Sequence, residues 1–318
     1  MYPLLLKPAV KDYLWGGNRL KTEYGLETDL EIAAEAWALS CHKDGAGIIT
    51  NGEYKGKTLP FVLEVWGDKA LGKKAAEFPY FPLLIKLIDA KQKLSVQVHP
   101  DDEYALKNEG EFGKTEMWYV VDCDEGAELI YGFKENISKE EFERRIKDNT
   151  LTEVCNFVPV NKGDVFFISA GTLHAIGEGI LIAEVQQNSN TTYRVSDYGR
   201  LGADGKPREL HVEKAIAVTD CEKPSIPYGQ VGNTVFDGKN SERELASCKF
   251  FSASLLKLEE IAELFYEDSF VSLLVLEGNA TLIWDDQKLE IKKGDSVFVP
   301  AGFDVKLSGK AEILKSYL

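Results

Sequence analysis

A chain of 318 residues with 44% hydrophobic content has material for two domains with real cores, which excludes a disordered or fibrous chain. Its 37 Lys+Arg against 52 Asp+Glu leave a net charge of -15, and no Lys/Arg run offsets it, so nucleic acid and acidic membrane surfaces are excluded as partners. The opening stretch from Met1 to Pro8 is too short for a signal peptide, and nowhere do about 18 uncharged apolar residues run together, so the expected setting is the cytoplasm.

In chain order, segment 59–64 reads as a short helix, and 83–88, 94–98 and 117–121 read as strands from their β-branched and aromatic content. Residues 138–147 give the clearest helix. Ser138 stands at the N-cap with Glu141 at the capping-box position, and Phe142 and Ile146 lie four apart on one face. Segments 165–168 and 180–186 read as strands, 211–217 as a third helix, and 271–276, 280–284 and 296–299 as strands again. Cys41, Cys123, Cys155, Cys221 and Cys248 are odd in number and scattered without a C-x-x-C pair, so they are expected to be reduced thiols.

Two stretches repeat one another. Gly163-Asp-Val-Phe-Phe-Ile-Ser169-Ala-Gly171 matches Gly294-Asp-Ser-Val-Phe-Val-Pro300-Ala-Gly302, and the strand beginning at Met117 parallels that beginning at Ser272. The pattern resembles the second cupin motif, a hairpin that carries a metal-binding His into the mouth of a small jelly-roll barrel. The expected fold is therefore mainly β, with two cupin (jelly-roll) barrels. The copies differ in ligand types: His174 follows Gly171 by three residues where Val305 follows Gly302, and Glu116 stands where Val271 does. They differ in length too, because 47 positions separate Glu116 from Gly163 and 23 separate Val271 from Gly294. We expect a catalytic metal-binding domain over 1–225 with a helical insertion at about 132–158, and a degenerate domain without metal ligands over 226–318. The Pro/Gly-punctuated linker 223–232 marks the boundary.

Strand alternation places Ser95, Gln97 and His99 on one face, with Val96 and Val98 on the other. The same period puts Lys114 beside Glu116. With His174 these residues offer two imidazoles, a carboxylate and an amide, a set that suits zinc with room for water or substrate and also suits Fe(II) or Mn(II). His42 and His211 have no such company and are read as structural.

On these residues the chain resembles the type I, zinc-dependent mannose-6-phosphate isomerases in their short bacterial form. The resemblance rests on Tyr13-Leu-Trp15-Gly-Gly17, Ala34-Glu35-Ala-Trp37, Leu83-Leu-Ile-Lys86-Leu-Ile-Asp-Ala90, Ser95-Val-Gln97-Val-His99-Pro-Asp-Asp102, Gly113-Lys-Thr-Glu116-Met-Trp118, Gly171-Thr-Leu-His174-Ala and the run from Glu184 to Arg194. It implies Gln97, His99, Glu116 and His174 as ligands of one Zn2+ per chain, Arg194 as the catalytic arginine, and Ser95, Lys86, Lys114 and Glu184 as substrate-pocket residues. It also implies a sugar phosphate as substrate, with mannose 6-phosphate and fructose 6-phosphate interconverted through an enediol. A guanidinium suits an oxyanion or phosphate better than it suits proton abstraction, which leaves the base open between Glu184, Lys114 and a metal-bound water. Trp15 and Trp118 are candidates for packing against sugar carbons.

Overall fold

The computed structural model describes residues 1–202 and 205–318. The architecture is mainly β and cupin-like, as the strand pattern implied. Continuous apolar runs build the centre of the first barrel. In Leu83–Ala90, Glu116–Cys123 and Ile180–Gln187, alternate residues enter two different cores: Ile85, Leu87, Met117, Tyr119, Ala183 and Val185 pack outward, whereas Ile88, Trp118, Val120 and Ile182 pack inside the barrel. These strands belong to a six-stranded antiparallel sheet in the order Val165–Ile168, Glu116–Cys123, Ile180–Gln187, Leu83–Ala90, Glu35–Leu39, Ala9–Lys11. A five-stranded sheet faces it, in the order Tyr193–Ser196, Val96–Val98, His174–Ala175, Glu128–Phe133, Cys155–Pro159.

A ten-stranded sheet forms most of the rest. Its path runs Thr234–Asp237, Asn240–Ser247, Ser252–Leu258, Val305–Tyr317, Val271–Trp284, Ser296–Val299, Leu4–Lys7, Ile48–Ile49, with Ala262–Leu264 and Gln287–Lys292 paired off it. The first strand of the chain thus lies in the sheet of the last barrel, Leu4 opposite Phe298. Leu4, Leu6, Phe270, Leu274, Phe298 and Leu314 meet the outer face of the first barrel in one shared core.

Two expected strands, 271–276 and 280–284, are one. Val271–Trp284 runs unbroken because Glu277-Gly278-Asn279 stays paired with residues 310–312 instead of turning; a bulge lies just before it, between Val275 and Glu277, and Gly278 sits at φ 76°. The helix Lys139–Lys147 forms with Ser138 Oγ accepting from Glu141 N at 3.1 Å, but only half of the capping box closes, since the Glu141 carboxylate turns to Arg144 and Arg145. This helix and a short turn at Leu151–Glu153 connect Glu128–Phe133 to Cys155–Pro159, which pair with each other, so the excursion leaves and rejoins one sheet. Helices Leu59–Trp66 and Val212–Val218 lie where the sequence placed them. The helix Asp102–Asn108 was not expected; Asp101 caps it, accepting from Tyr104 N at 2.9 Å. Among the described residues no helix is long and apolar enough to cross a membrane.

Candidate active site

The strand Val96–Val98 lies beside the short strand His174–Ala175, with Gln97 opposite His174, while Val96 and Val98 enter the apolar cluster behind them. On the facing sheet Glu116 opens its strand. The helix just upstream pins that strand: Asp102 Oδ1 accepts from Gly113 N at 2.9 Å and from Gln187 Nε2 at 3.0 Å. Gly113 passes so close that a Cβ there would stand 2.4 Å from the Asp101 carbonyl carbon.

This placement brings one ligand atom each of His99, Glu116 and His174 within 4.8 Å of the others, all three residues buried. Each imidazole has its tautomer set from behind. His99 Nδ1 donates to the Thr191 carbonyl at 3.0 Å and His174 Nδ1 to the Thr172 carbonyl at 2.8 Å, which leaves both Nε2 lone pairs facing inward. Burial, and then the charge of Lys114, lowers the His99 pKa well below the ordinary range; burial takes His174 down to about 3. Both rings are therefore neutral donors at physiological pH. Gln97 is adjacent, its amide nitrogen 3.4 Å from His174 Nε2.

Glu116 is fully buried, yet neither carboxylate oxygen receives a hydrogen bond. Lys114 Nζ stands 2.8 Å from its Oε2 in ion-pair contact, and 3.1 Å from His99 Nε2. One ammonium against Oε2 compensates the burial only in part, because Oε1 has no donor. Burial and the neighbouring Glu184 charge push its pKa up to about 7. Two neutral imidazoles and an unsatisfied carboxylate converging on one point fit a divalent cation of the zinc type.

Next to this cluster a cavity of about 270 Å³ is lined by Ser95, Gln97, Lys86, Lys114, Glu184 and Arg194, so the expected pocket residues share one space. Lys86 Nζ lies 2.9 Å from Glu184 Oε1 and 3.9 Å from Glu35 Oε2. Burial alone would raise the Glu184 pKa, but Lys114 and Lys86, with a hydrogen bond from Trp118 Nε1 at 2.9 Å, hold it near 2. Trp118 is thus a buried support for Glu184 and does not line the cavity, whereas Trp15 does. Arg194 is half-buried; one terminal nitrogen donates to the Glu209 carbonyl at 2.9 Å, and among the described residues its Nε has no partner. His211, read as structural, exchanges hydrogen bonds with the Arg194 backbone, its Nδ1 accepting from Arg194 N at 3.1 Å. His42 lies elsewhere, accepting from Asp44 N at 3.1 Å.

Glu35 and Arg208 also line the cavity and carried no assigned role in the sequence reading. Glu35 was visible inside the motif Ala34-Glu35-Ala-Trp37; Arg208 sits in no motif, and Asp197 brings it in through a 2.6 Å ion pair. The cavity wall then carries four cationic side chains, Lys86, Lys114, Arg194 and Arg208, against two carboxylates, Glu35 and Glu184. On a chain of net charge -15 this is a local basin for an anion.

The phosphomannose isomerase type I catalytic domain matches residues 4–134, and the mannose-6-phosphate isomerase cupin domain matches residues 241–318. Mannose-6-phosphate isomerase ManA of Bacillus subtilis (strain 168) is 41% identical over 318 residues, covering 99% of each chain. The mannose-6-phosphate isomerase of Streptococcus mutans serotype c is 36% identical over 322 residues, covering 99% of this chain and 98% of that one. The crystal structure of the mannose 6-phosphate isomerase from Bacillus subtilis superposes with a TM-score of 0.91 at 36% identity over the whole of both chains. With family models, sequence identity and fold in agreement along its full length, the chain belongs to the type I phosphomannose isomerase family.

Proposed function

We propose that the chain is a cytoplasmic mannose-6-phosphate isomerase that interconverts mannose 6-phosphate and fructose 6-phosphate through an enediol. It would hold one Zn2+ on Gln97, His99, Glu116 and His174. The observation that carries the reading is the buried His99, Glu116 and His174 cluster, contacted by Lys114 and Gln97, which also line a cavity with an excess of cationic side chains. When bound, the metal supplies Lewis-acid polarisation of a sugar oxygen.

The chain's own residues do the rest. Arg194, half-buried with an unpartnered Nε, stabilises negative charge that develops on the enediolate. Arg208, Lys86 and Lys114 add positive potential for a dianionic substrate. Glu184 is ill matched to a general base near pH 7 while its pKa is held near 2, and it serves better to orient Lys86. Five free thiols suit a reducing compartment.

The test is incubation of purified protein with mannose 6-phosphate, glucose 6-phosphate and unphosphorylated mannose, with products resolved. Fructose 6-phosphate should form from the first, cease with a chelator and return with zinc. In D2O, solvent deuterium should appear on the carbon that receives the proton, as an enediol route requires. Absence of fructose 6-phosphate would sink the reading, and complete absence of label would point to a shielded proton or a hydride shift instead of a solvent-exchanging enediol.

A further inference from the structure

A cavity of about 540 Å³, twice the volume of the candidate active site, lies in the mouth of the C-terminal barrel. Strand register ties it to the first cup. In the first barrel Gln186 lies opposite Glu116, and two residues back Glu184 is flanked by Trp118 and Lys86. In the C-terminal barrel Tyr317 lies opposite Val271, the counterpart of Glu116, and two residues back Lys315 is flanked by Leu273 and Ser254. Lys315 therefore takes the place of Glu184, and Ser254 that of Lys86. Glu242, opposite Leu256, takes that of Glu35, opposite Ile88.

Lys315 is only 3% exposed. Its ammonium donates to Glu242 Oε2 at 2.7 Å and to the Tyr266 hydroxyl at 3.0 Å, while Ser254 Oγ donates to Glu242 Oε1 at 2.6 Å. An ammonium has three N–H donors, and among the described residues the third has no protein partner. A buried lysine paired with a Glu242 side chain that is 36% exposed is poorly explained by stability, because an apolar residue of similar volume at 315 would serve the barrel as well or better. Apolar faces complete the cup: Leu256, Leu264 and the rings of Tyr266 and Tyr317, whose centroids are 4.7 Å apart.

The chemistry of the cup selects its ligand. At depth the Lys315 and Glu242 charges balance, so an anion finds no unpaired cation there and a cation no unpaired carboxylate. Asp237, Glu244 and Glu263 stand exposed at the rim, where they repel a phosphate. Neighbouring donors and acceptors beside aromatic faces match hydroxyl groups, which donate and accept at once, on an apolar C–H skeleton. We propose that the C-terminal cup binds a neutral, polyhydroxylated small molecule, an unphosphorylated hexose or a polyol, without a metal and separately from the first cup.

The test uses the full chain with 13C-labelled tyrosine rings, followed by NMR during titration with D-mannose, mannitol, glucosamine and mannose 6-phosphate. D-Mannose and mannitol should move the Tyr266 and Tyr317 signals saturably, and mannose 6-phosphate should leave them in place. Lys315→Met should weaken that binding about 10-fold or more, the scale for losing a hydrogen bond to a charged group. Glu242→Gln, a gentler change, should do the same if Lys315→Met fails to fold, and neither variant that folds should alter turnover of mannose 6-phosphate. The proposal fails if Tyr266 and Tyr317 stay unmoved by both neutral probes up to about 100 mM, or if glucosamine or mannose 6-phosphate moves them at lower concentration. Parent-like binding by the folded variants would also overturn it. Each readout is independent of the isomerase assay.

Discussion

The first barrel sets Gln97, His99, Glu116 and His174 where the C-terminal barrel sets Leu264, Tyr266, Val271 and Val305. The pairing fixes this equivalence: His174 lies opposite Gln97 as Val305 lies opposite Leu264, and Ile168 lies opposite Glu116 as Val299 lies opposite Val271. Both hairpins open on a left-handed glycine, Gly163 at φ 91° and Gly294 at φ 93°, so the backbone frame is common to both. The contents are not. Leu264, Val271 and Val305 join an apolar core with Leu273 and Ile313, which holds itself together by burial. The first cup instead withdraws a carboxylate from water with one ammonium, that of Lys114, against Oε2 and no donor on Oε1, a cost of about 1–3 kcal/mol. A guest cation would offset that cost, which the apolar positions of the copy do not incur.

The sharpest way to break the comparison is to remove the guest's donors. His99→Ala, His174→Ala and Glu116→Gln should each lower metal affinity on the order of 100-fold or more, with turnover lost in step. Val305→Ala should cost stability only, about 1–3 kcal/mol, with metal content unchanged. Metal analysis of the parent should find a single equivalent; two tightly held ions would contradict the metal-free reading of the second cup. Arg194→Ala comes next. If its charge acts on a developing enediolate, as proposed, the variant should keep its metal and lose roughly 100-fold in kcat with KM changed much less. A steep rise in KM at normal kcat would instead assign Arg194 to ground-state phosphate binding.

Much of this contrast is readable from sequence because a strand's period is short and local. Alternation from Ser95 to His99 puts Gln97 and His99 on one face, and the Gly-Asp hairpins expose both the repeat and its missing His. Contacts made across the fold are not so readable. Leu4–Lys7 carries no mark that it will pair with Ser296–Val299, and Arg208 reaches the cavity only because Asp197 holds it. The unbroken pairing through Gly278 shows a third limit: a Gly-Asn pair signals a turn unless a partner strand such as Val305–Tyr317 is long enough to carry the pairing past it. The helix Asp102–Asn108, by contrast, had a local signal in Asp101 followed by two acidic residues, and the terminal sense of Pro100 masked it.

A smaller effect separates the cups by pH. In the metal-free chain His99 and His174 are held neutral well below pH 6, whereas Glu116, pushed up to about 7, keeps its proton below that pH. Cation binding needs the carboxylate, so below about pH 7 one proton must leave for each ion taken up, and above it none. Apparent affinity should then fall about tenfold per pH unit as pH drops from 7 to 5.5 and level off above 7. Competition against a coloured chelator across that range reads the slope. Glu116→Gln should flatten it; a slope of two protons would mean that a histidine titrates as well.

The smallest effect concerns the excursion that only the first barrel carries. Helix Lys139–Lys147 is anchored by Phe142, fully buried with its ring 5.6 Å from that of Phe133. Lys139 Nζ donates to the Ile216 and Ala217 carbonyls at 3.0 Å, at the end of helix Val212–Val218. The residue before that helix, His211, accepts from the Arg194 backbone N–H. The excursion thus braces the strand that presents Arg194, through main-chain and apolar contacts set well back from the cavity. Ser138→Ala removes one N-cap acceptor and should cost about 1 kcal/mol, read as a lower urea midpoint at constant m-value. Because Phe142 keeps the helix docked, kcat should stay at the parent value. A fall in kcat with KM and metal content unchanged would mean that fraying at Ser138 reaches Arg194, and that the first barrel needs its excursion for chemistry as well as for stability.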